Sequence, residues 1–429
     1  MYYWTRLAYV ETIRMLKGKI NLGVVANALE WVDYALYGAF SSVMGPLFFP
    51  REDALASQLA VFGVFALGFI ARPLGGALFG HIGDRTGRGN ALFLSIILMA
   101  IPTACICFLP TYEQAGFLAP LLLIVIRILQ GLAIGGEYTG AMVSLVENAP
   151  VEKRGQLGSW ADIGCLIGTL FGGQLIAVVL SSLLSPEDYQ AWGWRLPFLL
   201  SFGLVYVGFR LKQTMKAPPK KTTSPRLPLV DVFKKHTKPA LYAMFIVSFS
   251  GISFYNLLVF LPNYLVISER ASPFYAFLIT GITNACMIPA TFLSGRLTDF
   301  FKKRKIFLQI GVWGILLLVY PMVAALQEGS LWLYGILHGL SGIFLSFYYG
   351  GRTAFFAETF PAHVRYTAVS IAFGLGQAIA GGTAPFVATY LVNKAGGDVR
   401  IVAAHFAIGA CFALYALAQM TDRTAQPLE

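Results

Sequence analysis

Long apolar runs broken by short polar turns organise this chain from end to end. Twelve runs are of membrane-spanning length, roughly 20–45, 57–80, 91–110, 118–146, 156–181, 195–212, 239–264, 273–296, 306–326, 331–357, 366–392 and 400–420. A helix crosses a hydrocarbon core of about 30 Å with roughly 20 residues. Six runs lie on each side of the stretch 213–238, which is rich in proline and lysine and reads as a linker. Within it, Leu229–Lys235 is amphipathic and is expected to lie on an anionic lipid surface.

The polar turns repeat between the halves. Gly80-His-Ile-Gly-Asp-Arg-Thr-Gly-Arg88 returns more loosely as Gly295-Arg-Leu-Thr-Asp-Phe-Phe-Lys-Lys-Arg304, with an aspartate four residues after the glycine in both copies. Glu147-x-x-Pro150-x-x-x-Arg154 returns as Glu358-x-x-Pro361-x-x-x-Arg365. Both patterns recur at nearly the same offset, about half the chain. They predict a duplicated membrane unit, with a first bundle over 1–212, a linker over 213–238 and a second bundle over 239–429.

Composition agrees with a lipid environment. Apolar residues make up 57% and charged residues 12%, against about 25% charged in soluble domains; the mean hydropathy is +0.66. The net charge of +11 is concentrated on alternate loops, nine of the Lys and Arg falling in 210–238. The opposite loops hold only Arg51, Arg195, Arg270, Lys394 and Arg400. This asymmetry predicts a multi-pass protein of the cell (inner) membrane with both termini and the linker in the cytoplasm. It argues against a nucleic-acid partner, and the N-terminal stretch does not read as a cleavable signal peptide. All five cysteines (Cys105, Cys107, Cys165, Cys286, Cys411) fall in apolar runs without a histidine cluster, so inert core thiols are expected and no metal or cofactor is implied.

Ionisable residues inside spans are costly and mark candidate function. Glu30, Asp33 and Tyr37 share one face of the first span. Arg127, Gln130 and Glu137 share a face of the fourth. Asp33 reads either as a proton carrier or amine ligand, or as a structural carboxylate locked to an arginine. Arg127 reads either as a bidentate anchor for a substrate carboxylate or as the partner that neutralises Asp33. Glu137 is either a proton site or a bridge to Arg72. Asp162 adds a further intramembrane acid in the fifth span, and Trp31, Tyr34, Tyr37 and Trp160 offer aromatic faces to a quaternary ammonium. The second half offers Tyr255, Asn256, Asn284, His338, Tyr348, Tyr349 and Arg352 but few buried acids, which puts proton coupling (Asp33, Glu30, Glu137, Asp162) in the first half. His338 by itself reads as a satisfied polar residue.

The turn at 80–88 resembles the signature between the second and third helices of the major facilitator superfamily. Its metabolite:proton symporter branch is resembled further by Asn27-Ala-Leu-Glu-Trp-Val-Asp33, Phe48-Phe-Pro50, Arg72-Pro-Leu-Gly-Gly76, Arg127-Ile-Leu-Gln-Gly131, Gly135-Gly-Glu-Tyr138, Trp192-Gly-Trp-Arg-Leu-Pro-Phe198 and Gly381-Gly-Thr-Ala-Pro385. The resemblance implies an all-α membrane protein of 12 transmembrane helices in two six-helix bundles, related by a pseudo-twofold axis normal to the membrane. It implies proton-coupled symport of a small organic solute by alternating access. The setting of Asp162 resembles proline/betaine members, so a zwitterion bound by Tyr34, Tyr37, Arg127, Gln130, Trp160, Tyr255 and Asn256 is expected. The alternative is a small carboxylate (keto acid, dicarboxylate or shikimate-like) anchored by Arg127. Gly80, Asp84, Arg85 and Arg88 resemble the family's cytoplasmic gate, with Glu147, Arg154, Asp299, Glu358 and Arg365 as its neighbours and counterparts; the other reading is that these charges only fix loop topology.

Osmosensing relatives carry a long C-terminal extension, whereas this chain stops nine residues after Met420, so osmotic gating is not expected. No nucleophile–base pair, HExxH or phosphate-cradling motif suggests an enzyme. A sensor would bring a soluble domain, and gate charges in both halves do not suit a channel. The expected partners are the solute, protons and the bilayer, with a monomer sufficient for function.

Overall fold

The computed structural model describes residues 28, 31–50, 53–86, 88–133, 137–203, 206 and 228–428, without side chains at 76–77, 80–81, 83–86, 88–92, 137, 141 and 228–230. No strand occurs among the described residues. The first span is helical over 31–48. It is followed by Ala54–Thr86, Arg88–Ile106, the fourth span (Leu118–Ala133 and Glu137–Glu147) and the fifth, from Val151 to Leu183. The sixth opens at Leu196–Leu199, and most of its predicted remainder lies outside the described residues. The second half runs Thr237–Ile267, Pro273–Phe300, Arg304–Gln327, Leu331–Thr359, Ala362–Lys394 and Val399–Gln419. Nine helices among the described residues are long and apolar enough to cross a membrane, and Phe93–Ile106 is a shorter apolar one.

The packing pattern carries the duplication. The fifth span packs on the eighth, and the eleventh on the second, which is the same contact with the halves exchanged. The fourth and tenth spans, also counterparts, pack on one another. The first and seventh meet where Gly38 lies against Val259. Four pairs of corresponding helices thus form the seam between the halves.

Within the first half, the second and fourth spans approach closely enough for a Cβ on Gly131 to collide with the Gly68 carbonyl. Outward faces stay apolar, with Phe171, Leu317, Trp332 and Phe412 exposed where lipid would cover them. Cys105, Cys286 and Cys411 join them on the exposed side and only Cys165 is buried. The expectation of core thiols is therefore corrected: an apolar run has a lipid face as well as a core face, and a small thiol suits both. The amphipathic segment of the linker forms the helix Pro228–Lys235; it packs on the eleventh span and buries Val232 while Phe233 stays outward.

Among the described residues, three spans are locally rewound into π turns, at Leu170–Gln174, Asn256–Phe260 and Gln377–Gly381. The first and third occupy corresponding places in the fifth and eleventh spans. A π turn widens the helix by one residue, frees backbone groups and is frequent at functional sites.

Candidate functional site

Two of the polar clusters buried among the described residues bear on the site. The first is confined to the N-terminal half. Asp33 accepts hydrogen bonds from Thr103 Oγ1 at 2.6 Å and Gln130 Nε2 at 2.7 Å, and pairs with Arg127 Nη1 at 3.2 Å. Arg127 also donates to Gln130 Oε1 at 2.8 Å, and its guanidinium lies over the Tyr37 ring at 4.3 Å and the Tyr34 ring at 5.0 Å. Arg72 Nε donates to the Tyr34 hydroxyl at 3.2 Å. Asp33, Arg127, Gln130 and Thr103 are all fully buried. A carboxylate and guanidinium so enclosed persist only when paired and hydrogen-bonded.

The second cluster crosses between the halves. Asp162, from the fifth span, forms an ion pair with Arg352, from the tenth. The Asp162 carboxylate also accepts from Tyr138 OH at 2.8 Å and Thr353 Oγ1 at 3.2 Å. Arg352 donates to Ser250 Oγ at 2.7 Å and to Tyr138 OH at 3.0 Å. This pair lines a small pocket between the halves, walled by Trp31, Tyr138, Phe254, Tyr255, Tyr349 and Phe373. Cys165, Leu166 and Gln377 complete the lining. Trp31 stacks on Tyr255 at 6.0 Å and meets Phe254 edge-on at 5.1 Å. Four lining polar atoms find no protein partner: Trp31 Nε1, Tyr255 OH, Arg352 Nε and Gln377 Oε1. Unmet donors and an acceptor around an aromatic-walled pocket describe a site for a small dipolar group.

The halves touch on both sides of this cavity. On one side the Asp299 carboxylate accepts from the backbone amides of Gly155 and Gln156, both at 2.8 Å, capping the start of the fifth span from the opposite half. Arg304 pairs with Glu358 at 2.6 Å and with Asp299 at 3.0 Å. Arg154 reaches Glu358 at 3.5 Å, and Arg365 reaches Glu147 at 2.6 Å. On the other side Asn263 Nδ2 donates to the Gly38 carbonyl at 2.7 Å and its Oδ1 accepts from Ser42 N at 3.1 Å. Asn393 Nδ2 donates to Asp53 at 2.9 Å.

Among the residues singled out in the sequence, Asp162, Tyr255, Trp31, Tyr349 and Arg352 line the cavity. Asp33, Arg127 and Gln130 do meet, but in the separate N-terminal cluster, with Tyr34 and Tyr37 against them. Trp160 is half-buried and packs edge-on against Phe292 at 5.8 Å, away from the cavity. Asn256 opens the π turn of the seventh span and faces His405 at 3.3 Å. His338 is held by Thr283 at 2.8 Å and the Leu257 carbonyl at 3.0 Å. Glu30 lies outside the described residues, and Asp84, Arg85, Arg88 and Glu137 outside the described side chains; Gly80 falls within the helix Ala54–Thr86. Arg352 carried no assigned role in the sequence, and Tyr138, Phe254, Phe373 and Gln377 were not singled out as ligands. Arg352, a charge inside an apolar run, and Gln377, a polar residue inside another, carry a signal in the sequence, whereas Phe254 and Phe373 carry none.

A membrane protein with counterpart helices along its seam and a polar, aromatic-walled pocket between its halves has the architecture of a two-bundle carrier. A family model described as Major Facilitator Superfamily matches residues 31–385, and the chain belongs to that superfamily. It is 32% identical to the glycine betaine/proline/ectoine/pipecolic acid transporter OusA of Dickeya dadantii (strain 3937) over 394 residues, 88% of this chain and 78% of that one. It is 35% identical to a putative proline/betaine transporter of Staphylococcus aureus (strain COL) over 380 residues, covering 87% and 81%. In fold it matches the crystal structure of a D-xylose-proton symporter with TM-score 0.76 at 18% identity, covering 98% of this chain and all of that one.

Proposed function

We propose that this chain carries a small zwitterion of the proline/betaine type, together with protons, across the cell inner membrane by alternating access. The observation that carries this reading is the cavity between the halves, where aromatic walls meet one fixed acid and one fixed base. Aromatic faces attract a quaternary or secondary ammonium, and Arg352 with the unmet Tyr255 and Trp31 donors suits a carboxylate. The names of the curated relatives support the same solute class.

In this reading the side bearing Asp299, Glu358 and Glu147 is the cytoplasmic gate, and both termini are cytoplasmic, as the lysine-rich loops favour. Rocking of the residues before the linker against those after it would open one side at a time. Asp33 is the proposed proton carrier. A proton there leaves the Arg127 guanidinium held by Gln130 and the Tyr37 and Tyr34 rings. The carboxylate-substrate alternative has less support, because Arg127 is engaged by Asp33 and Gln130 and does not line the cavity.

Uptake of labelled glycine betaine, proline and 2-oxoglutarate into proteoliposomes under an inward proton gradient tests the proposal. Accumulation of the first two, abolished by a protonophore, is expected; accumulation of 2-oxoglutarate alone would replace it with the carboxylate reading.

A further inference from the structure

We propose that the solute is admitted by ion-pair exchange: it replaces the Asp162–Arg352 pair, and that pair makes both charges of the solute obligatory. The inference rests on the zwitterion reading above and adds the rule by which the site selects. Asp162 and Arg352 come from opposite halves and are held in the same cavity, so their bond is also a bond between the halves. Both side chains are almost wholly buried, at 4% and 3% exposure. A charge so enclosed is tolerated only with a partner. Three occupants of the cavity are then distinguishable by charge alone.

With no solute, each charge satisfies the other. With a zwitterion, the solute's carboxylate takes Arg352 and its ammonium lies between Asp162 and the ring faces of Trp31, Tyr255 and Phe254. Both buried charges stay matched, and the link between the halves is kept through the solute. With a lone anion, Arg352 is matched but Asp162 is stranded. With a lone cation, Asp162 is matched but Arg352 is stranded. The orphan atoms fit the exchanged state. Arg352 Nε, Tyr255 OH and Trp31 Nε1 are donors left unused while Asp162 takes Arg352 Nη2, and they are free to meet the carboxylate of a solute. Discrimination arises here by penalising the wrong ligand rather than by favouring the right one.

Three ligands of one shape test this: glycine betaine, choline (which lacks the carboxylate) and 3,3-dimethylbutanoate (which has carbon in place of the charged nitrogen). Their binding to the full chain in nanodiscs is measured by titration calorimetry at one fixed pH. The wild type is expected to prefer glycine betaine by roughly a hundredfold over both, as stranding a buried charge dictates. Asp162→Asn, which leaves Arg352 without its acid, is expected to raise the affinity for 3,3-dimethylbutanoate relative to glycine betaine at least tenfold without doing so for choline. Arg352→Gln is expected to do the reverse, favouring choline. Should either single variant fail to fold, Asp162→Asn combined with Arg352→Gln keeps hydrogen-bonding groups in place without buried charge. In that variant the three ligands should bind within about threefold of one another. Unmoved ligand ratios in the single variants, or a preserved preference for glycine betaine in the double variant, would overturn ion-pair exchange while leaving zwitterion transport intact. A wild type that binds no zwitterion would overturn both.

Discussion

Arg365 reaches Glu147 across the seam between the halves, and the same contact recurs with the halves exchanged as Arg154 to Glu358. The two motifs repeat at a fixed offset in the sequence, and the fold brings each glutamate to the other copy's arginine. Self-complementary pairing of this kind is what a twofold relation between like units produces. The two contacts are not equal. Glu147 is 39% exposed at its side chain, whereas Glu358 is 3% exposed and also receives Arg304 through two nitrogens at 2.6 and 2.9 Å.

Glu358→Gln is therefore expected to cost far more than Glu147→Gln. Breaking a buried pair costs about 3–5 kcal/mol, while a half-exposed one contributes roughly 0–1 kcal/mol. Thermal unfolding of the two variants in detergent should show a large drop for the first and a shift of a degree or two for the second. Equal shifts would mean that burial does not rank these contacts.

Gly155 sets how closely the halves meet at the same side. A Cβ there would fall within 2.6 Å of Arg304 Nη1 and 2.5 Å of the Gly295 carbonyl, and it would disturb the cap that Asp299 places on the fifth span. Gly155→Ala is expected to hold this side open, and Gly155→Val more so. Maleimide labelling of Ser159→Cys in membranes should rise several-fold in either background. Labelling that stays flat would remove Gly155 from the gate.

Asp33→Asn separates coupling from binding. It keeps the shape and hydrogen-bonding capacity of the side chain and removes the titrating proton. Counterflow exchange of labelled glycine betaine should persist, whereas accumulation driven by a pH gradient should fall to the equilibrium level. Loss of both activities would return Asp33 to a structural role. In the same cluster, Arg127→Leu leaves a buried carboxylate stranded and should destabilise by about 3–5 kcal/mol. Adding Asp33→Leu should recover much of that loss, as read by thermal unfolding.

Trp31 is the aromatic residue that meets Tyr255, Phe254 and Tyr138 at the cavity wall. Trp31→Ala should raise the half-saturating concentration of glycine betaine roughly ten- to thirtyfold, from a lost cation–π contact of up to about 2 kcal/mol. Trp31→Phe should recover most of it. A half-saturation unchanged in Trp31→Ala would place the ammonium elsewhere.

Much of this protein was legible in the chain itself. The all-helical membrane fold and its duplication followed from hydropathy and the two repeated turns. Asp33 and Arg127 could be matched because each is a charge inside an apolar span, and buried charges seek one another. The acids and bases that meet across the seam, Glu147 with Arg365 and Glu358 with Arg154, stood out because their motif occurs twice.

What the chain could not reveal was which charge meets which. Asp33 and Asp162 look alike in sequence, each one acid in an apolar helix. Only packing put Asp162 beside Arg352, 190 residues away, while Asp33 found its partner within its own half. The cavity walls were hidden for the same reason. Phe254 and Phe373 are ordinary apolar residues until the fold turns them toward the seam. Local pattern fixes what a residue can bury beside, because periodicity and transfer energy act within one helix. The choice of partner depends on the rotation and depth of several helices at once, and those are set by interlocking contacts that only the folded molecule contains.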